Sequence, residues 1–194
     1  MNNQLELDLG LPRIKDALTD RQTDRQPQTL AEKVEKAKRA LKLAADMSKE
    51  YYGEPLIITY SGGKDSDVLL YLAENCLNVG DFEVLNSHTT VDAPETVYHI
   101  REVFKRLEKQ GIKATVHFPK DKDGNPITMW NLIPKKKMPP TRLQRYCCAV
   151  LKETSTPHRI AALGVREAES AGRQGRNTFG TRGGVHSKWL SFFH

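Results

Sequence analysis

The chain has 194 residues, enough for one substantial core, and at 38% hydrophobic and 28% charged it is neither a membrane bundle nor a globally disordered polymer. Its 30 lysines and arginines outnumber 24 acids, and the formal net charge of +6 suits phosphate-bearing partners, from nucleotides through nucleic acid to anionic surfaces. Three cysteines make no disulfide framework, no apolar run approaches membrane-spanning length, and no basic-then-apolar leader opens the chain, so a cytoplasmic protein with no membrane partner is expected.

Residues 1–28 alternate acids, bases and amides around scattered leucines and read as a flexible N-terminal arm. From Thr29 the pattern changes. Leu30, Val34, Ala37, Leu41 and Ala44 recur at helical spacing, and Thr29 with Glu32 forms a capping box, so a helix is predicted from Leu30 to Tyr51. Gly53 and Pro55 stop it. Leu56 to Tyr60 is a short apolar, partly β-branched run of the kind buried in parallel sheets.

A glycine-rich turn follows, and then Val68, Leu69, Leu72 and Cys76 return to helical spacing before a second strand from Phe82 to Asn86. Pro94-Glu95-Thr96 opens a further amphipathic helix with Val97, Ile100, Val103, Phe104 and Leu107 on one face and Gly111 as its stop. A third strand spans Ala114 to Phe118. Pro119 to Gln144, with Asp123-Gly124-Asn125-Pro126, Pro134, three consecutive lysines and Pro139-Pro140, reads as one long loop of the kind that is usually functional. A short helix from Cys147 to Glu153 and a strand from Ile160 to Val165 follow, and residues 176–194 read as an irregular tail.

Alternating strands and helices predict an α/β fold, a Rossmann-like parallel sheet with helices on both faces and its binding site at the strands' carboxyl ends. The expected organisation is an arm over 1–28, one nucleotide-binding domain over 29–175 and the tail over 176–194.

The chemistry concentrates in Ser61-Gly62-Gly63-Lys64-Asp65-Ser66, between a predicted strand and a predicted helix. Backbone amides and a helix N-terminus can converge there on an anion. Gly62 and Gly63 permit positive φ and close approach to phosphate, Ser61 and Ser66 can donate hydroxyl hydrogen bonds, and Lys64 adds charge. The spacing differs from that of a Walker loop, whose lysine follows a four-residue gap between glycines. Cys147 and Cys148 suggest metal, cluster or redox use, with two thiols packed as small hydrophobes the other reading. Lys135, Lys136 and Lys137 are read as solvated charge with a weak pull on anions, and Asp65 and Asp92 as carboxylates that could hold magnesium if ATP is the ligand.

In this setting Ser61 to Ser66 resembles the PP-loop of ATP pyrophosphatases and phosphoadenosine-phosphosulfate reductases. Pro94-Glu95-Thr96 is similar to the reductases' Pro-Glu-Thr element. Where those proteins carry Asp-Thr-Gly, this chain has His88-Thr89-Thr90-Val91-Asp92-Ala93, so His88 and Thr89 take the nucleotide contacts expected of that turn. Arg145 to Lys152, around the cysteine pair, resembles the paired-cysteine segment of iron–sulfur reductases. Gly164-Val165-Arg166-Glu167-Ala168-Glu169-Ser170 with Arg173 resembles a further signature, in which Arg166 and Arg173 would clamp phosphate or sulfate.

The resemblance runs from Leu56 to Arg173 and identifies the chain as a C-terminally shortened member of the reductase family with an adenine nucleotide alpha hydrolase-like fold. It implies an adenine nucleotide ligand (PAPS, APS or ATP), sulfur reduction or transfer with Cys147 and Cys148 as catalytic residues, and a thioredoxin-like reductant. It also implies an iron–sulfur cluster for which Cys147 and Cys148 are a partial ligand set. Two alternatives remain open at the level of sequence: an ATP-dependent sulfurtransferase acting on nucleic acid, and a nucleotide-binding module with impaired catalysis. Oligomeric state is not legible.

Overall fold

The computed structural model describes residues 29–152, 155–156, 159–165, 179–181 and 188–192. Two units divide the chain at Lys33/Val34, and the sheet belongs to the second, Val34–His194.

Helix α1 spans Leu30–Tyr52 and opens on the expected capping box, Thr29 N–H donating to Glu32 Oε2 (2.8 Å) and Glu32 N–H to Thr29 Oγ1 (3.3 Å). Strand β1 is Leu56–Thr59, α2 Lys64–Cys76, β2 Phe82–Ser87, α3 Pro94–Lys109 and β3 Ala114–His117. These six elements are the ones predicted over the same stretch of chain. Then come α4, Met129–Lys136, a π-helical turn Cys148–Lys152, and strands β4 (Ala161–Gly164), β5 (Phe179–Thr181) and β6 (Lys188–Phe192).

The six strands are ordered β3-β2-β1-β4-β6-β5, all neighbours parallel except β5 against β6. Strand β1 is therefore central, and the chain leaves it first toward β2 and β3 and later crosses to β4. The crevice between the carboxyl ends of β1 and β4 is the switch point at which parallel sheets bind ligands. The α/β class and parallel sheet expected from the sequence are thus present.

One buried cluster joins Leu41 and Ala44 of α1, Leu69, Leu72 and Ala73 of α2, and Ile100, Phe104 and Leu107 of α3 to Leu56, Ile58, Phe82 and Val84 of the sheet. Each fully buried leucine or isoleucine contributes about 1.5–3 kcal/mol of transfer free energy. That packing presses the amino-terminal turns of α2 and α3 onto the carboxyl end of β1.

Three elements differ from the sequence reading. The loop from Pro119 to Gln144 contains α4, which the run of breaker residues conceals. Asn131 N–H donates to Thr128 Oγ1 (3.2 Å) and Thr128 N–H to Asn131 Oδ1 (2.9 Å), a reciprocal cap that nucleates the helix despite Pro134 inside it. The tail is not wholly irregular, since β5 and β6 lie within it. Strand β6 pairs with β4 from Ala161↔Trp189 to Gly164↔Phe192, a distant partner that no local pattern reveals. The segment after Cys147 winds as a π-helical turn instead of an α-helix.

Candidate functional site

The turn between β1 and α2 is held from within by one hydroxyl. Ser66 is buried, and its Oγ donates to Gly63 O (2.7 Å) while accepting from Gly63 N–H (3.1 Å) and from Ser61 Oγ (3.3 Å). Ser66 therefore shapes the cradle, where the sequence reading had it donating to phosphate. Asp67 N–H donates to Gly63 O (3.0 Å), which starts the helix. Gly62 adopts φ +73, whereas Gly63 is the N-cap at φ −97, ψ 158, so only the first glycine needs the left-handed region expected of both. Ser61, Gly63 and Lys64 are exposed, and a Cβ on Gly63 would meet nothing nearer than Ser61 Oγ at 3.6 Å. Space thus lies open over the amino end of α2, where the first-turn amides and the helix dipole favour an anion.

Three neighbours wall the cradle. A Cβ on Gly62 would fall 3.0 Å from Ile100 Cγ1 and 3.1 Å from Thr96 Cγ2, so the first turns of α3 close one side. A Cβ on Gly164 would fall 2.9 Å from Asp65 O and 3.2 Å from Ser66 N, so the end of β4 runs against the backbone of α2 itself. Buried Asn86 donates through Nδ2 to Tyr60 O (2.8 Å), and Tyr60 N–H donates to Leu85 O (2.9 Å), fixing the last residue before the turn.

Tyr60 itself reaches between α2 and α3. Its hydroxyl donates to Asp67 Oδ1 (2.6 Å), leaving the oxygen to accept from His99 Nε2 (3.0 Å), and its ring packs 6.0 Å from that of Phe104. Burial first, and the Asp67 hydrogen bond second, push its phenol well above the ordinary range.

His88 and Thr89 follow β2, one strand over. Thr89 is buried, its N–H donates to Asp92 Oδ2 (3.1 Å), and His88 Nδ1 lies 3.9 Å from the same oxygen. Asp92 is thereby engaged in shaping its own turn. The His88 ring sits 5.0 Å from that of Phe118, and Thr90, at φ +66, accepts from Met129 N–H through Oγ1 (2.9 Å). The amino end of α4 is thus tied to the same sheet end as the cradle. His117, at the end of β3, has Nε2 buried without a hydrogen-bond partner among the described residues, and burial lowers its pKa.

Cys147 precedes and Cys148 opens the π-helical turn. Arg145 Nη2 stands 3.5 Å from Cys148 Sγ, and Tyr146 donates its hydroxyl to Met138 O (2.7 Å). The phenol of Tyr146 is pushed up by burial first and by Cys147 second. The chain's third cysteine, Cys76, packs against the α1–α3 core, and burial raises its thiol. A four-iron cluster needs four thiolates, so the donors of this chain do not fit one. Among the described residues no group of three or more His, Cys, Asp or Glu converges on a metal position, for magnesium or any other ion. Arg166 and Arg173 lie outside the described residues.

Sequence reasoning overlooked Asn86, Thr90, the contact of Thr96 with the Gly62 turn and the close approach at Gly164. A buried asparagine ending an apolar strand is a local signal for the first. The others depend on partners distant in sequence.

The profile of the phosphoadenosine phosphosulfate reductase domain matches residues 55–190, reaching into β6 and beyond the segment where motifs are legible. No curated protein sequence matches significantly. Among solved structures, the chain is similar to the phosphoadenylyl-sulfate (PAPS) reductase from Candida auris, solved as a phosphate complex. The identity there is 12% and the TM-score 0.44, over 86% of this chain and 80% of that one. It is also similar to the FMN adenylyltransferase of Candida glabrata, with 17% identity and a TM-score of 0.47, over 87% of this chain and 55% of that one. The fold itself stands on the strand order. No described helix is long and apolar enough to cross a membrane.

Proposed function

Because the chain belongs to the phosphoadenosine phosphosulfate reductase domain family, we propose that Ser61 to Ser66 cradle the phosphate or phosphosulfate group of an adenine nucleotide whose sulfur is then reduced or transferred. The observation that carries this reading is the open space over Gly63 at the amino end of α2, beside the β1/β4 switch point. Lys64, exposed at the helix start, adds a cation at the same place. His88 and Thr89, at the end of β2, contact the same nucleotide, and Arg166 and Arg173 supply forked donors to its sulfate or terminal phosphate.

On this reading the sulfur acceptor is Cys147 or Cys148, a pair that is partly exposed with a guanidinium against one sulfur, the surroundings typical of reactive thiols. The thiolate attacks the sulfonate sulfur, the sulfur–oxygen bond to the nucleotide breaks, and the nucleoside phosphate leaves with the electron pair. A thioredoxin-like dithiol then displaces sulfite from the cysteine and is itself oxidised to a disulfide.

The test is equilibrium binding of ATP, adenylylsulfate and phosphoadenosine phosphosulfate, followed by assays for sulfite and pyrophosphate with a dithiol present. Sulfonucleotide binding with sulfite release, lost in Cys147→Ser or Cys148→Ser while binding persists, is the expected result. Pyrophosphate released from ATP would overturn it in favour of an ATP-dependent sulfurtransferase.

A further inference from the structure

One acid-free stretch of this chain carries as much charge as the chain's whole net excess. Residues 124–152 hold six bases, Lys135, Lys136, Lys137, Arg142, Arg145 and Lys152, and no acid, so the rest of the sequence carries 24 bases against 24 acids and is neutral on balance. All six are exposed, and among the described residues none forms an ion pair. An ordinary solvated face mixes its signs.

The segment is also built. Leu132 and Leu151 are buried and anchor its two ends. Tyr146 closes the stretch back to Met138 O, Gln144 N–H donates to Thr141 Oγ1 (3.0 Å), Lys136 Nζ lies 5.9 Å from the centre of the Tyr146 ring, and Met129 N–H is bonded to Thr90. On this support Trp130 is 71% exposed and Leu143 96%, with Phe118, 48% exposed, following β3.

We propose that the face formed by α4 and the 135–145 segment binds single-stranded nucleic acid. A mononucleotide at the cradle offers too few charges to neutralise six cations, whereas a polynucleotide supplies one phosphate per residue along the strand. An indole exposed among cations is the element on which an unstacked base is held, and a duplex withholds its bases from it. The tie at Thr90 sets this face at the same sheet end as the cradle, so a bound strand lies beside whatever occupies the switch point. The inference goes beyond the nucleotide reading and does not depend on it.

The experiment measures anisotropy of labelled single-stranded oligonucleotides of about twenty residues with the full chain across a salt series. Five or six phosphate contacts give a slope of log affinity against log salt of about −4. Replacing Lys135, Lys136 and Lys137 together by Gln should move the slope to about −2 and weaken binding about 100-fold near 0.1 M salt, each contact being worth roughly fivefold there. Trp130→Ala should cost about tenfold with no change of slope. Replacing Lys42, Lys105 and Lys109, exposed on α1 and α3, by Gln removes the same charge and should leave most of the affinity. Equal loss in that control, equal affinity for the duplex of the same sequence, or equal competition by polyglutamate would overturn the proposal, the last in favour of an acidic protein partner. Phosphoadenosine phosphosulfate affinity is read in parallel. Oligonucleotide binding without nucleotide binding would sink the cradle assignment alone, and the converse this inference alone.

Discussion

Gly164 runs so close to Asp65 that a single added carbon on the glycine would fall 2.9 Å from the Asp65 carbonyl oxygen. Two backbones separated by about a hundred residues are thus in direct contact at the switch point, and the atoms in the way belong to the main chain and cannot rotate aside. Gly164→Ala should destabilise the fold by about 1–3 kcal/mol, in the range of other overpacking changes. It should also weaken nucleotide binding by shifting the first turn of α2. Urea denaturation beside nucleotide titration checks both, and unchanged affinity in a folded variant would show that the cradle tolerates the shift.

The two cradle glycines should respond differently. Gly62 combines φ +73 with a Cβ position 3.0 Å from Ile100, so Gly62→Ala should lower stability by about 1–3 kcal/mol. Gly63 has ordinary dihedrals and open space, so Gly63→Asp should leave the unfolding midpoint nearly unchanged while its carboxylate repels an anionic ligand. Equal nucleotide affinity in Gly63→Asp would remove the phosphate from this turn.

Tyr60 links α2 to α3 through Asp67 and His99, and Tyr60→Phe should cost about 1 kcal/mol at neutral pH. Its phenol is raised above the unfolded value of about 10, so the folded state holds the proton more tightly. The contribution to stability is therefore fully present below about pH 10 and falls as pH rises beyond it. Unfolding free energies measured from about pH 8 to about pH 11 should decline more steeply for the wild type than for Tyr60→Phe. Parallel curves would mean that the hydroxyl titrates as it does in the unfolded chain.

At the opposite end of the strands, Arg159 donates through Nη2 to Glu83 Oε1 (2.9 Å) and to Pro55 O (2.7 Å), while Lys113 Nζ lies 2.8 Å from Glu83 Oε2. The side chains of Glu83 and Arg159 are only 12% and 20% exposed, so Glu83→Gln leaves a largely desolvated guanidinium with only the more exposed carboxylate of Glu54, 3.8 Å away, as counter-charge. The expected loss is about 3 kcal/mol, with nucleotide affinity intact because these residues stand at the strands' amino ends. A variant as stable as the wild type would mean that water screens the pair.

The order of β1, α2, β2, α3 and β3 was legible from hydrophobic period and stop signals, because each of those elements is specified by its own residues. The candidate turn was legible too, since Ser61 to Ser66 is contiguous and lies between a strand and a helix. Other features depend on neighbours that no local pattern names. Strand β6 exists because β4 offers it a ladder, and Thr90 takes a left-handed backbone where Met129 hydrogen-bonds to it. The roles within the cradle were likewise decided by packing. Ser66 turns inward because its hydroxyl completes the turn, Gly62 is needed because α3 fills the space a side chain would occupy, and Gly164 because β4 and α2 meet backbone to backbone. Composition could count six unbalanced cations, but only the folded segment, with its two buried leucines and its closed turn, shows them exposed and, among the described residues, outside any ion pair.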